Sequence, residues 1–362
     1  MYKQIFLKRG KEESLKRFHP WIFSGAIHHM DEGIEEGETV RVITAAGEFI
    51  AVGHYQIGSI AVRVLSFEDI EINTDFWCER LQSALDVRIG VGIADSPTNN
   101  TYRLVHGEGD YLPGLVIDCY GSTAVMQAHS VGMHVCRNEI CQALVQVMGD
   151  RIANVYYKSE TTLPYKADLH QENGFLVGGD ASNVAMENGL KFHIDWLRGQ
   201  KTGFFVDQRE NRSLLEHYAK GKSVLNMFCY TGGFSVYAMR GDAKQVHSVD
   251  SSAKAIELTN DNVALNFPGD ARHEAFCEDA FKYLDEHDQQ YDLIVLDPPA
   301  FAKHRAALRN ALKGYTRLNV KGLQRIKKGG ILFTFSCSQV VTKDNFRNAV
   351  FTAAAQAGRK VR

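Results

Sequence analysis

The sequence predicts an α/β protein whose C-terminal half is a doubly wound parallel sheet, and two observations lead to that prediction. From residue 221 onward, short apolar runs alternate with runs of helical periodicity. Five apolar runs are separated by helices, which is the order of elements in a parallel sheet covered on both faces. The five expected strands are SVLNMF, QVHSVD, HEAFC, YDLIVLD and GGILFTFS.

The first 188 residues predict two smaller modules ahead of this sheet. Between residues 39 and 65, segments rich in Val and Ile are broken by glycines, which predicts a β-barrel module of about 70 residues. A helix expected over residues 73–91 leads to a mixed α+β module, in which strands such as GLVIDCY and TAVMQAH accompany the helix VCRNEICQALVQVM. The expected domains are therefore 1–72, 73–188 and 189–362. The last residues, GRKVR, look like the opening of a further strand.

Length and composition limit the class of protein. The chain has 362 residues, of which 44% are hydrophobic and 23% charged, with a net charge of -2. These values describe a globular protein with more than one core and exclude disordered and fibrous classes. No signal peptide and no run of roughly 20 apolar residues is recognisable, so a cytoplasmic location is expected. The seven scattered cysteines form no CxxC pair, so neither a disulfide framework nor a metal site is expected.

Two local clusters of basic residues suggest contact with nucleic acid. Residues 1–30 contain six Lys or Arg side chains near Glu12 and Glu13, whereas residues 303–328 contain nine Lys or Arg and no acid. In the second cluster a cation recurs every four residues, which on a helix gives a slowly winding stripe. Its members are Arg305, Arg309, Lys313, Arg317, Lys321 and Arg325. Such runs are often solvated faces, but beside a base-binding loop they are expected to contact RNA phosphates.

The ends of the first three expected strands carry groups suited to a nucleoside cofactor. Ligands bind beyond the carboxyl ends of parallel strands, and the first strand leads into a turn with paired glycines but no GxGxxG phosphate loop. SAM is a nucleoside cofactor without phosphates. Asp250 could accept hydrogen bonds from ribose hydroxyls, and Asp279 could accept one from the adenine amine; the alternative for each is a helix cap. The expected residues of the turn are Asn226, Phe228, Tyr230, Thr231, Gly232 and Gly233.

The ends of the fourth and fifth strands suggest chemistry on a base. The fourth strand ends in Asp297, Pro298 and Pro299, a stiff loop in which Asp297 could hydrogen-bond the edge of a base while Phe301 stacks on it. The alternative is a rigid turn with a buried Phe. The fifth strand ends at Cys337, which should lie beside Asp297 at the same edge of the sheet, although most cysteines simply fill a core.

A thiol at this place has a chemical use. Carbon 5 of a pyrimidine is a poor nucleophile until a thiolate adds to carbon 6, and Asp297 could stabilise the charge that develops at N3. Methylation of an exocyclic amine or another RNA atom needs no such adduct, and that alternative remains open. A second alternative is a non-catalytic RNA-binding or ribosome assembly protein.

At these residues the sequence resembles the bacterial ribosomal RNA large subunit methyltransferase I family. The resemblance covers nearly the whole chain and rests on HPWIFSGAI at residues 19–27, KTGFFVDQR at residues 201–209, and the motifs around Asp297 and Cys337. It implies an N-terminal PUA domain that binds RNA, a central α+β domain and a Rossmann-like class I methyltransferase domain. The resemblance also implies that relatives continue with further C-terminal strands, so the sheet of this chain is expected to be short of them.

The resemblance implies a function as well as a fold. The implied reaction is SAM-dependent formation of 5-methylcytosine in large-subunit (23S) rRNA, with Cys337 and Asp297 as catalytic residues and a homodimer compatible with the sequence. By resemblance, Gln208 and Phe204 line the SAM pocket with Asp297, whereas from the residues alone KTGFFVDQR also fits a packing strand. Expected substrate-binding residues are Pro298, Pro299, Phe301, Lys303, Arg305 and Arg309.

Overall fold

The computed structural model describes residues 2–164, 169, 171–180 and 182–362. The chain divides into two compact units, of which the first comprises Met1–Gly189 and Ile194–Val206 and the second Leu190–His193 and Asp207–Arg362. None of the helices in the described ranges is long and apolar enough to cross a membrane.

The N-terminal part of the first unit is a six-stranded sheet. Its strands are β1 (Gln4–Leu7), β2 (Trp21–Phe23), β3 (Ile27–Met30), β4 (Thr39–Ile43), β5 (Phe49–Tyr55) and β6 (Ile60–Ser66). They lie in the order β2-β6-β5-β4-β1-β3, and irregularities in the pairings of β1 with β3 and of β4, β5 and β6 help the sheet to coil. Alternating side chains such as Val40 and Val42 fill the core. Within this part Lys3 is paired with Glu38 and Lys16 with Glu13.

The rest of the first unit is an α+β arrangement around a second sheet. Helix α1 (Thr74–Gly90) begins at Asn73, whose side chain caps the amide of Phe76. The strands are β7 (Thr101–His106), β8 (Leu115–Tyr120), β9 (Thr123–Ala128), β10 (Asn154–Tyr157) and β11 (Gly174–Val177), in the order β11-β10-β9-β8-β7. Helices α2 (Val131–Val135) and α3 (Arg137–Met148) follow β9, and α1 and α3 pack together. A short strand, β12 (Val184–Glu187), comes last.

The segment KTGFFVDQR is not a strand. Thr202 donates a hydrogen bond to the buried carboxylate of Asp118 at 2.5 Å, and the carbonyl of Phe204 accepts one from the hydroxyl of Tyr120 at 3.3 Å. These bonds hold residues 202–204 as an irregular segment of the first unit, so the interpretation as a packing strand is wrong. A 3-10 turn at Val206–Gln208 leads into the next helix.

The second unit contains the predicted doubly wound sheet. After β13 (Leu190–His193) and α4 (Arg209–Ala219) come β14 (Ser223–Met227), α5 (Gly233–Arg240), β15 (Gln245–Asp250), α6 (Ala253–Asn266), β16 (His273–Cys277), α7 (Ala280–Glu286), β17 (Tyr291–Leu296), α8 (Leu308–Arg325), β18 (Ile326–Thr334) and α9 (Lys343–Gln356). The sheet order is β16-β15-β14-β17-β18 with every pairing parallel.

This strand order determines where a ligand can bind. The chain moves outward from β14 to β16 and then returns to β17 and β18, so right-handed connections place the helices on opposite faces. The order reverses between β14 and β17, which is the switch point where ligands bind in such sheets. The core beneath it contains Leu225, Met227 and Ile294.

The C-terminal residues do not begin a strand. The backbone amide of Arg359 bonds to the carbonyl of Ala354, and its guanidinium donates to the carbonyls of Leu323 and Ile326 at the end of α8. These contacts hold residue 359 at the helix ends, so the expectation of a strand opening at GRKVR is wrong.

Candidate active site

The carboxyl ends of the five strands lie along one edge of the sheet. Backbone bonds continue past the strands: the amide of Cys229 donates to Val249 at 3.1 Å, that of Glu278 to Asp250 at 3.0 Å, and that of Phe335 to Leu296 at 2.9 Å. The loops that carry the predicted site residues therefore follow neighbouring strands of one sheet.

The turn after β14 has an unusual backbone that α6 holds in place. Phe228, Tyr230 and Gly232 have φ angles of 57°, 48° and 74°, in the left-handed region that favours glycine. A Cβ at Gly232 would lie 2.7 Å from the methyl carbon of Thr259. Thr259 also donates to the carbonyl of Tyr230 at 3.0 Å, and Asn262 donates to that of Thr231 at 2.8 Å. The glycine is therefore required by packing on α6, whatever ligand the turn meets.

Two carboxylates flank this turn, and each also organises the backbone. Asp250 accepts hydrogen bonds from the amides of Tyr230 at 3.1 Å and Ser252 at 3.0 Å. Asp279 is exposed, and its Oδ1 caps α7 by accepting from the amides of Phe281 and Lys282. Capping does not prevent ligand binding, since a carboxylate oxygen has more than one acceptor position.

Asn226 is placed differently from the rest of the predicted cofactor set. It is 1% exposed, and its amide donates to Ser235 at 2.9 Å, which in turn contacts Ser248. Ser248 bonds to His273, whose pKa burial lowers to about 4. Asn226 thus belongs to a buried network between the sheet and α5, and contact between this residue and the cofactor stays a prediction.

The remaining groups fit a nucleoside without phosphates. The turn at residues 226–233 contains no Lys or Arg, and carboxylates follow β15 and β16, where hydroxyl and amine donors of a nucleoside can be accepted. A Cβ at Gly233 would lie 3.0 Å from Arg212 Cδ, so a glycine fits there best. The carboxylate acceptors match the hydroxyl and amine donors of a nucleoside, and the turn lacks the phosphate loop of a dinucleotide site, so these groups suit SAM better.

A chain of amides holds the carboxylate of Asp297. Gln208 donates from Nε2 to Asp297 Oδ2 at 3.0 Å, and Asn211, one turn further along α4, donates to Gln208 Oε1 at 2.6 Å. Asn211 thereby fixes the amide of Gln208 with its NH2 group toward Asp297. The prediction included Gln208 but missed Asn211, although its spacing of three residues on a helix was a usable signal.

Cys337 is exposed in the loop after β18, and its thiol donates to the carbonyl of Pro298 at 3.7 Å. The structure therefore brings together the two motifs that the sequence predicted to be neighbours. By contrast, Cys229 is buried, and desolvation raises its pKa to about 12. A core cysteine of that kind is inert, whereas Cys337 is accessible for reaction.

The residue after the thiol joins three elements. Ser338 is 3% exposed, and its hydroxyl accepts from the backbone amide of Ala302 at 3.2 Å and lies 2.9 Å from the hydroxyl of Tyr315 on α8. The loop with Cys337, the loop after Asp297 and helix α8 are thus tied to one hydroxyl. Neither Ser338 nor Tyr315 was predicted, because the contacts join residues far apart in sequence.

Comparison with known proteins agrees with this geometry. Residues 170–351 match a family model of S-adenosylmethionine-dependent methyltransferases, and residues 5–67 match a PUA-like domain. Ribosomal RNA large subunit methyltransferase I of Alteromonas mediterranea is 38% identical over 100% of this chain and 92% of its own length. The same enzyme of Vibrio parahaemolyticus is 40% identical, with coverage of 100% and 92%.

The chain belongs to the ribosomal RNA large subunit methyltransferase I family. A solved structure from Streptococcus mutans, described as a SAM-dependent methyltransferase, has a TM-score of 0.80 and 25% identity, covering 98% of this chain and 90% of that one. A methyltransferase structure complexed with SAH has a TM-score of 0.81 and 25% identity, covering 97% and 90%. The predicted family, the fold class and SAM as cofactor are thereby confirmed.

In this member of the family, Phe301 packs inward. Its ring centroid lies 4.6 Å from that of Tyr315, and a Cβ at Gly314 would be 2.9 Å from its Cδ2 atom. The ring is half-buried against the core that includes Ala311. This packing favours the rigid turn with a buried Phe over stacking on a base. In the same loop Pro298 is buried and Pro299 exposed.

The predicted basic stripe divides into two halves. Toward the end of α8, Lys321 is paired with Asp285, Arg325 with Asp288, and Arg317 lies over the ring of Phe281 at 4.6 Å. These three cations pack on or beside α7, so the protein already provides partners for them, and contact of the whole stripe with RNA stays a prediction. In the other half the cations are exposed, and no ion pair or hydrogen bond to another described residue holds them; they are Lys303, Arg305, Arg309 and Lys313.

Proposed function

We propose that this chain transfers a methyl group from SAM to carbon 5 of a cytosine in large-subunit rRNA, by way of a covalent bond to Cys337. The observation that carries the proposal is the exposed thiol within 3.7 Å of the Pro298 carbonyl, next to Asp297. The relatives named above are large-subunit rRNA methyltransferases. Since that substrate resides in the cytoplasm of bacteria, we infer the same location for the chain.

In this proposal SAM binds at the carboxyl ends of β14, β15 and β16. Asp250 accepts from the ribose hydroxyls and Asp279 from the adenine amine, while the turn at residues 228–233 supplies its backbone and Gln208 borders the site. SAM supplies an electrophilic methyl group on a sulfonium. Asp297 lies where the two halves of the sheet meet and serves both the cofactor pocket and the base.

The proposed chemical role of Cys337 is described by the movement of electrons and protons in the cytosine ring. Its thiolate forms a bond to carbon 6, the double bond between carbons 5 and 6 shifts its electrons toward N3, and a proton passed from the Asp297 carboxyl group to N3 neutralises that charge and returns to Asp297 when the ring is restored. Carbon 5 becomes nucleophilic and takes the methyl group as the bond between the methyl carbon and the sulfonium sulfur breaks, which leaves the sulfur as a neutral thioether. Loss of the carbon 5 proton to a base then expels the thiolate and restores the aromatic ring.

Asp297 has the support that this role requires. Gln208 donates to Oδ2, and Asn211 prevents the amide of Gln208 from turning round. A carboxyl group held in this way keeps one orientation while the base is bound.

The proposed adduct can be trapped. An unmodified large-subunit rRNA transcript containing 5-fluorocytosine should form a protein–RNA complex that survives denaturing electrophoresis, because fluorine at carbon 5 cannot leave as the proton does. Transfer of labelled methyl to ordinary transcript, followed by mass spectrometry of the nucleosides, identifies the product. A methylated exocyclic amine with no trapped complex would sink the proposal in favour of the alternative chemistry, and RNA binding without heat from SAM would favour a non-catalytic protein.

A further inference from the structure

A groove between α8 and α9 lies outside the site described so far. Its cavity volume is about 660 Å³. The α8 wall includes the cations Arg309, Lys313, Arg317 and Lys321, of which Lys321 is paired with Asp285. The α9 wall carries uncharged polar side chains at one helical face, Asn345, Asn348 and Thr352.

The chemistry of these walls fits the backbone of a nucleic acid. No Asp or Glu lines the groove, and Arg309 and Lys313 are exposed without an ion pair to another described residue. Guanidinium and ammonium groups neutralise phosphates, and Asn and Thr side chains donate to phosphate and sugar oxygens. An acidic protein surface could meet the cations, but the amide donors of the facing wall suit the closely spaced oxygens of a sugar–phosphate chain better.

The groove is also linked to the proposed reaction centre. Helix α8 follows the loop after β17 that carries Asp297, and helix α9 follows the loop after β18 that carries Cys337. On the inner side of α8, Tyr315 is fully buried and bonds to Ser338, the neighbour of Cys337. A strand of RNA held in the groove would therefore lie at a fixed position relative to the thiol.

We propose that the groove between α8 and α9 binds the sugar–phosphate backbone of the RNA strand next to the target base. The proposal deepens the function proposed above, because it takes RNA as the substrate, but it does not depend on which atom is methylated. Arg309 and Lys313 supply the charge, and the side-chain amides of Asn345 and Asn348 supply neutral donors on the facing wall.

A matched pair of double variants tests this proposal. Arg309→Ala with Lys313→Ala removes two cations from the groove, and Lys343→Ala with Arg347→Ala removes two exposed cations of α9 that do not line it. Binding of protein-free large-subunit rRNA transcript is measured by fluorescence anisotropy over a range of salt concentrations. The groove variant should bind about tenfold more weakly, with a salt slope smaller by about 1 to 2, while the control keeps the wild-type affinity.

One further variant and one calorimetric control distinguish the possible results of this experiment. Asn348→Asp places a negative charge in the groove without removing a cation and should also weaken RNA binding, and calorimetry with SAM checks that each variant is folded. Wild-type affinity and salt slope in the groove variants would overturn the proposal, as would a defect seen only with assembling subunits, which would indicate a protein occupant. If wild-type protein makes no 5-methylcytosine yet the groove variants lose RNA affinity, the groove proposal stands and the proposed chemistry fails.

Discussion

The candidate active site lies at the carboxyl ends of the five parallel strands of the second unit. The ends of β14–β16 and the ends of β17 and β18 use their polar groups differently. At the ends of β14–β16, polar side chains hold the backbone: Asp250 binds two amides, Asp279 caps a helix and Asn226 is buried in a network. At the ends of β17 and β18, the buried hydroxyl of Ser338 also binds a backbone amide, but the thiol of the preceding residue, Cys337, is exposed. The side chains at the ends of β14–β16 therefore fix the conformation of the backbone, whereas the loops after β17 and β18 expose a group that can react.

The largest effect expected from this difference is at Cys337. Cys337→Ala should lower methyl transfer by about 10³-fold or more, as loss of a nucleophile does, while SAM binding by calorimetry stays near wild type. The control is Cys277→Ala, which removes the other exposed thiol, located at the end of β16. Equal turnover of Cys337→Ala and wild type would show that the loop after β18 does not supply the reactive group, and the proposed difference between the two sets of strand ends would fail.

The opposite pattern is expected at Asp250. Asp250→Ala removes the acceptor for two backbone amides and for the proposed ribose bonds, so the Kd for SAM should rise about 100-fold, with a much smaller change in kcat at saturating SAM. Asp261→Ala, an exposed carboxylate of α6, is the control for charge. A fall in kcat with unchanged SAM affinity would assign Asp250 to chemistry instead.

Packing of the cofactor turn gives the next effect. Gly232→Ala adds a methyl group 2.7 Å from Thr259 at a φ of 74°, and chemical denaturation should show a loss of about 2 to 4 kcal/mol in the free energy of unfolding. Gly269→Ala has nearly the same backbone, with a φ of 76°, but no atom within 4 Å, and should lose only about 1 kcal/mol. Equal losses would mean that backbone strain alone requires the glycine.

The smallest effect concerns the orientation of Asp297. Asn211→Ala leaves Gln208 able to turn its amide, so kcat should fall about fivefold to tenfold, equivalent to about 1 kcal/mol, with little change in the KM for SAM. Asn211→Asp cannot donate to Gln208 and should be at least as impaired. Wild-type kcat in both variants would show that Gln208 needs no support from α4.

Local patterns made much of the fold predictable. The sequence patterns at residues 245–250, 253–266 and 273–277 coincide with β15, α6 and β16. These elements could be located because the pattern typical of a strand or a helix lies within each segment itself. The expected meeting of Asp297 and Cys337 also follows from the sheet alone, since neighbouring parallel strands end at one edge.

Contacts between distant segments could not be predicted in the same way. Whether Asn226 faces a ligand or a helix depends on Ser235, Ser248 and His273, and whether Phe301 is exposed depends on Gly314. The division of the basic stripe depends on one acid of α7 and one just beyond that helix, which only the folded chain brings near. Helix periodicity identified the stripe but not its partners.

The hydroxyl of Ser338 has a consequence for how a target could be chosen. It bonds to the loop that follows Asp297, and it belongs to the residue after Cys337, so the gap between carboxylate and thiol exists before any nucleotide arrives. When the distance between the carboxylate and the thiol is fixed, a base that has left the RNA stack is accepted if it fits between them. Selection of the target then needs no closing movement of the protein that only the correct base can drive. Selectivity would then be limited by the cost of distorting the RNA, which favours a nucleotide that is already unstacked.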